Sequence, residues 1–299
     1  MAKFKDICTK IGSGATPRGG KEAYCEDGIS LIRSQNVLDF TFSAGGLVYI
    51  NELQAEKLKN VIVEEDDVLL NITGDSVARA CIVDKNYLPA RVNQHVCIIR
   101  ADSSKVIPSY LLYYLQLNKE YLLQLASGGA TRNALTKDMV NNLELELPTV
   151  EEQQKIVAVL NDIQKKIYCN NAVNENLEHQ SLALFSNYYE QSNTEIDFTD
   201  LIQVLGGGTP KTRESTYWNG NIPFFTPKDV GFPYTLATEK TITEDGLLHC
   251  NSRLYPLNTV FVTARGTVGK VGIAGVPMAM NQSCYALIGK GIHQLLVYF

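Results

Sequence analysis

The sequence predicts a mixed α/β (α+β) chain: two similar globular domains with mixed β-sheets, separated by one long coiled-coil-type α-helix. Three observations carry that expectation. An uninterrupted run over residues 148–193 keeps apolar side chains at seven-residue spacing. Blocks of sequence on either side of it resemble each other in the same order. At 299 residues the chain is also too long for one simple core. The expected division is 1–148 for the first domain, 149–194 for the helix and 195–299 for a second, incomplete domain.

The first domain opens with a helical or extended piece ending at Ile11, followed by a loop that Gly12, Gly14 and Pro17 mark. Residues 29–32 read as a short strand leading to the polar group Arg33-Ser-Gln-Asn36. Residues 51–60 look helical. A buried strand over 67–72 ends at Thr73-Gly-Asp-Ser76, with a return strand over 78–83 and another strand over 95–99. Residues 108–125 carry Leu and Tyr at helical spacing. A Gly-rich loop, 127–132, then leads through a short helix to a closing strand at 143–147.

The long helix has a clear start. Leu147-Pro148-Thr149 is a stop with Thr149 as N-cap, and Glu151, Glu152 and Gln153 supply negative charge and a capping-box side chain in the first turn. Ile156, Ile163, Leu177 and Leu184 form one apolar row, and Leu160, Ile167 and Tyr188 the other. Asn170 and Asn174 also fall on the seam, where buried amides fix register at a cost in stability. A helix of this length spans about 60 Å and cannot bury its seam alone.

Beyond it the order of the first domain returns. Gly208-Thr-Pro210 matches the loop ending at Pro17 at an offset of 193, as do residues 221–230 against 28–37. Residues 259–268 match 68–77 at an offset of 191, and Asn281-Gln282 matches Asn93-Gln94 at 188. Slowly drifting offsets are what small loop deletions in a duplication produce. By this register the second copy stops midway at Phe299, before any counterpart of the closing strand or of a second long helix.

Composition narrows the function. The net charge of −5 argues against nonspecific nucleic-acid binding through a basic surface, while leaving room for a local basic patch. The 7 cysteines are scattered without a Cys-x-x-Cys, which fits reduced cytosolic thiols better than a disulfide framework or a zinc site. Among the 4 histidines no pair has metal-ligand spacing. No apolar run approaches a membrane span and the first residues lack a signal peptide's apolar core. The expectation is a cytoplasmic protein without metal or membrane contact.

Short matches to catalytic motifs fail on their residues. Gly12-x-Gly14 has Pro17 where a dinucleotide fingerprint has its third Gly, and Gly269-Lys270 is followed by Val271 where a P-loop needs Ser or Thr. Asn221-Ile-Pro-Phe224 departs from the base-holding motif of amino-methyltransferases and has no cofactor loop before it. No Ser/His/Asp or Cys/His arrangement has supporting context, so no catalytic residue is expected.

The carrying motifs are Gly14-Ala-Thr-Pro17, Asn71-Ile-Thr-Gly74, Asn93-Gln94, the stretch from Leu147-Pro148 through Gln153 to Ile156, Gly208-Thr-Pro210, Arg265-Gly-Thr-Val-Gly269 and Asn281-Gln282. Their order and duplication resemble the specificity (S) subunit of type I restriction–modification systems, and the expectation is a copy truncated at the C-terminus. The resemblance implies two target recognition domains, each reading half of a split site in double-stranded DNA, with long helices as spacer. It implies a non-catalytic subunit that docks methylation (M) subunits and, in larger complexes, restriction (R) subunits. S-adenosylmethionine, ATP and Mg would belong to those partners and no cofactor to this chain.

Base-edge readout needs Arg, Lys, Asn, Gln and Ser on exposed loops. The expected contacts are Arg18, Lys21, Arg33, Gln35, Asn36, Thr73, Arg79, Asn93 and Gln94 in the first domain. In the second they are Lys211, Arg213, Lys228, Asp229, Arg265 and Lys270. For each residue the alternative is a solvated loop side chain, and for both Asn-Gln pairs a hydrogen bond capping a strand. The helix–helix interface is expected at Ile156, Leu160, Ile163, Ile167, Asn170, Asn174, Leu177 and Leu184, with self-association as a further outcome of an unpaired helix. Two other functions stand beside this one: a scaffold that dimerises through the helix without reading DNA, and, more distantly, a stand-alone methyltransferase.

Overall fold

Val68–Asn71 is buried on both faces, and that double burial sets the layers of the first unit. Side chains alternate along a strand, so Val68 and Leu70 point into a core shared with helices, whereas Leu69 points into a second core between two sheets. The neighbouring strand Val96–Ala101 divides the same way, Cys97 and Ile99 against Val96 and Ile98. The computed structural model describes residues 1–17, 19–128, 133–192, 195–231 and 233–299, and the side chains of Gly20 and Lys21 fall outside that description.

The chain divides into two units, Met1–Asn170 and Asn171–Phe299. In the first, an antiparallel sheet has the order Cys8–Ser13, Val96–Ala101, Val68–Asn71, Ala80–Ile82. A mixed sheet has the order Val48–Ile50, Ile29–Ile32, Ala90–Val92, Ile62–Val63, its central pair parallel. The helical stretch expected over 108–125 is two helices, Pro108–Leu117 and Lys119–Ser127, divided at Asn118, whose amide nitrogen donates to the Tyr114 carbonyl at 2.9 Å.

The second unit repeats these orders. Ile202–Gly206, Cys284–Gly289, Val260–Thr263 and Val271–Ala274 follow one another as their counterparts do, with Tyr234–Thr235 added at the edge. Thr241–Ile242, Trp218–Phe225 and Ala279–Met280 form the mixed sheet, in which the last two are parallel. Ile32 pairs with Val92 in the first unit and Phe225 with Met280 in the second, agreeing with the offsets of 193 and 188. The strand block needs a correction. Ile72 N donates to His95 O (2.9 Å) as Ala264 N does to Ser283 O (2.7 Å), and Gly74 and Gly266 share a positive φ of 78° and 79°. The true offset is 192, one residue beyond the expected 191, so Thr73 corresponds to Arg265.

The long helix spans Val150–Glu190. Its start is the expected capping box: Glu152 accepts from the Thr149 amide (2.9 Å) and hydroxyl (2.8 Å), while Glu152 N donates to Thr149 Oγ1 (3.3 Å). Those bonds hold the Glu152 carboxyl below its ordinary pKa. Gln153 is fully buried and fastens the first turn, accepting from Ile107 N (2.9 Å) and donating to the carbonyls of Lys105 (3.0 Å) and Pro148 (2.9 Å). Ile156, Ile163, Ile167, Leu177 and Leu184 are 41–61% exposed, Asn170 and Asn174 are exposed, and Leu160 is half-buried. The apolar seam therefore lies open on the chain.

Candidate functional site

In each unit three chain segments converge on an open cleft. They are the loop after the first strand of the mixed sheet, the turn after the doubly buried strand, and the Asn-Gln corner. In the first unit Ser34, Gln35, Thr73, Gly74, Asp75, Ser76, Arg79, His95, Asn133 and Ala134 line a cleft of about 750 Å³. In the second, Thr226, Pro227, Lys228, Glu239, Lys240, Arg265, Gly266, Asn281 and Ser283 line one of about 390 Å³. By the offsets of 193, 192 and 188 the two clefts occupy the same place in the fold.

The scaffold beneath them is duplicated bond by bond. Asn93 N donates to Ile32 O and Asn281 N to Phe225 O, both at 3.0 Å. Asn93 Oδ1 accepts from His95 N and Asn281 Oδ1 from Ser283 N, again both at 3.0 Å. Asn93 is 4% exposed and caps the corner, so of the two expectations for it the strand cap is the one found. Thr16 donates its hydroxyl to Gln94 Oε1, and Thr209 does so to Gln282 Oε1. Gln94 itself is exposed.

Several expected contact residues hold loops in place. Asn36 is fully buried; its Oδ1 accepts from Arg33 N (3.0 Å) and its Nδ2 donates to Ser43 O (2.9 Å). Asp229 does the same work in the second unit, accepting from Thr226 N (2.8 Å) and Glu239 N (2.7 Å). Arg33 is half-buried, with its guanidinium 5.5 Å above the Tyr24 ring and bonded to Gly46 O. Asn36 and Asp229 are committed to loop geometry instead of presenting free polar edges, whereas the buried Nε of Arg33 has no hydrogen-bond partner among the described residues.

Others face the cleft. Gln35 is exposed and its nitrogen is tied to Gly46 O (3.0 Å), leaving its oxygen without a partner among the described residues. Arg79 lines the first cleft with no ion pair or side-chain hydrogen bond among the described residues. Thr73 and Arg265 take equivalent places, Thr73 Oγ1 lying 2.5 Å from His95 Nδ1. Lys228 is exposed beside Glu239 at 3.4 Å. Lys211, Arg213 and Lys270 are exposed on loops outside the cleft lining. Arg18 and the side chain of Lys21 lie outside the described residues, as does the 129–132 part of the Gly-rich loop.

Sequence reading missed His95, Asp75, Ser76, Asn133 and Lys240. His95 follows Asn93-Gln94 directly, which was a usable signal. Lys240 reaches the cleft from a segment that none of the matched blocks includes, with its ammonium 5.8 Å from the Trp218 ring. Among the described residues no group of three His, Cys, Asp or Glu could hold a metal, and no helix is long and apolar enough to cross a membrane.

The family model for the type I restriction modification DNA specificity domain matches residues 1–179 and 192–299. The type I restriction enzyme MjaIX specificity subunit of Methanocaldococcus jannaschii is 36% identical over 104 residues, 33% of this chain and 24% of that protein. The EcoR124I/EcoR124II specificity subunit of Escherichia coli is 26% identical over 207 residues, 64% of this chain and 50% of that protein. The chain thus spans half the length of the second relative and less of the first. A crystal structure of a type I S subunit from M. genitalium superposes with a TM-score of 0.48 at 14% identity, covering 96% of this chain and 71% of that one. Nothing in these comparisons favours a scaffold that does not read DNA.

Proposed function

The chain belongs to the type I restriction modification DNA specificity family, and from that membership we propose that it is a DNA-reading subunit whose two units each recognise one half of a split site. The observation that carries this reading is the pair of clefts: one scaffold, duplicated in its hydrogen bonds, lined by different side chains. Sequence discrimination requires such variation at base-contacting positions on a constant frame. Arg79 in the first cleft and Lys240 and Arg265 in the second supply cations for phosphate or base edges.

The long helix serves as spacer and docking element. Its open row at Ile156, Ile163, Ile167, Leu177 and Leu184 is apolar surface that a partner covers. Methylation subunits are the partner this reading assigns, with restriction subunits joining later and a second copy of the chain as the competitor for the same surface. The chain carries no catalysis in this scheme. Methyl transfer from S-adenosylmethionine and ATP- and Mg-dependent cleavage fall to the other subunits.

The test is assembly. The chain is mixed with its cognate methylation subunit, and the complex is used to retain duplexes from a random pool. Enrichment of two fixed sequence blocks separated by a constant gap is the expected result. Assembly with retention indifferent to sequence would refute the reading.

A further inference from the structure

We propose that His95 is a positioning residue for DNA readout by the first unit, holding the Thr73 hydroxyl as a hydrogen-bond donor toward an acceptor on one base edge. The inference rests on the function proposed above and assigns a role to one side chain within it.

Four polar groups form a chain. Thr16 donates to Gln94 Oε1, the amide atom that faces it. The Gln94 nitrogen then lies 3.1 Å from His95 Nε2. An amide nitrogen can only donate, so Nε2 accepts, and the network assigns the proton of the neutral ring to Nδ1. Nδ1 is 2.5 Å from Thr73 Oγ1 and donates to it. A threonine hydroxyl can otherwise play either role. Here its acceptor side faces the imidazole, and its own hydrogen has no acceptor among the described residues. Thr73 and His95 both line the cleft, so that hydrogen is offered there.

The second unit shows that the scaffold does not need this chain. Its corner carries Ser283 in place of His95, yet Asn281 caps it at the same 3.0 Å and Thr209 still holds Gln282. In place of Thr73 it has Arg265, whose guanidinium is a donor in either orientation and has no hydrogen-bond partner among the described residues. Both clefts thus present a donor at the same place, and only the one made from an ambivalent hydroxyl is backed by a histidine. Acceptors that fit it in the major groove are guanine O6 and N7, adenine N7 and thymine O4.

The test uses the full chain in complex with its methylation subunit and a panel of duplexes changed one base pair at a time. His95→Phe keeps the ring and removes both nitrogens. It should lower discrimination at one base pair of the half-site read by the first unit by roughly tenfold. Other positions and the second half-site should be unchanged. Thr73→Val should reproduce that single loss, and His95→Asn, which returns an N–H near the Nδ1 position, should restore much of it. Unchanged discrimination in His95→Phe, an equal loss at every position, or no rescue by His95→Asn would each overturn the proposal. If the wild-type complex retains all duplexes alike, it is the proposed function that falls.

Discussion

Thr16 donates its hydroxyl to the side-chain oxygen of Gln94, and the same bond recurs between Thr209 and Gln282. The Gly-x-Thr-Pro loop of each unit is thereby latched to the Asn-Gln corner that floors its cleft. The latch needs close approach of backbones: Gly14 N donates to Asn93 O at 3.1 Å, and a Cβ on Gly14 would lie 1.7 Å from the Val92 oxygen. Gly14→Ala should therefore release the loop and raise hydrogen exchange at its amides by about tenfold or more. Gly12→Ala, whose Cβ meets nothing within 4 Å, should leave exchange unchanged.

Arg100 and Asp67 pair at the end of neighbouring strands in one sheet of the first unit, and Arg100 Nη2 also donates to Ile62 O of the other sheet at 3.0 Å. Asp67 is fully buried and accepts from Arg100 Nε and Nη2, both at 2.8 Å, and from Glu64 N at 2.7 Å. The bond to Asp67 raises the Arg100 pKa. Arg100→Met would leave a buried carboxylate without its partner and should destabilise the unit by about 3–5 kcal/mol in urea unfolding. Asp67→Leu combined with Arg100→Met should recover a large part of that loss.

Burial pushes the thiols of Cys81, Cys97 and Cys284 from 9.0 up to about 12. Above pH 9 the unfolded chain loses these protons while the folded chain keeps them. Stability therefore falls between about pH 9 and 12 and is indifferent to these thiols below that window. A urea midpoint that drops between pH 9 and 10.5, and drops less in a Cys81→Ala, Cys97→Ala variant, is the expected outcome. In native labelling with a thiol reagent at pH 8 the exposed Cys169 should react first.

Of the three cations that line the second cleft, Lys228 lies beside Glu239, while Lys240 and Arg265 have no ion pair among the described residues. Replacing either by Ala should reduce the slope of log affinity against log salt by about 0.9 if it neutralises one phosphate. Selectivity among duplexes should change little for a phosphate contact and sharply at one position for a base contact. Retention measured across salt concentrations separates the two roles.

The duplication was legible because strand ends and Gly-Pro turns survive divergence: the blocks at residues 28–37 and 221–230 fell into register from sequence alone. The one-residue slip in the 68–77 block arose because Gly74 and Gly266, the true equivalents, are flanked by different residues, and their shared positive φ and the backbone bonds of Ile72 and Ala264 identify them. Polarity picked out Arg79, Gln35 and Arg265, which lie at the clefts. It could not separate them from Asn36, Asp229 and Arg33, equally polar side chains that fold inward onto backbone groups. That distinction lives in tertiary hydrogen bonding, which residue type does not encode. The helix was readable from heptads and capping alone, because its geometry is local.

The central claim, that each cleft reads its own half of a split site, is tested most directly by comparing sequences enriched from a random duplex pool by three complexes. One carries the wild-type chain, one Gln35→Ala with Thr73→Val, and one Lys228→Ala with Arg265→Ala. The expected result is a two-part site in which the first pair of substitutions degrades one block and the second pair only the other. Degradation of both blocks by either pair, or of neither block by both pairs, would contradict it.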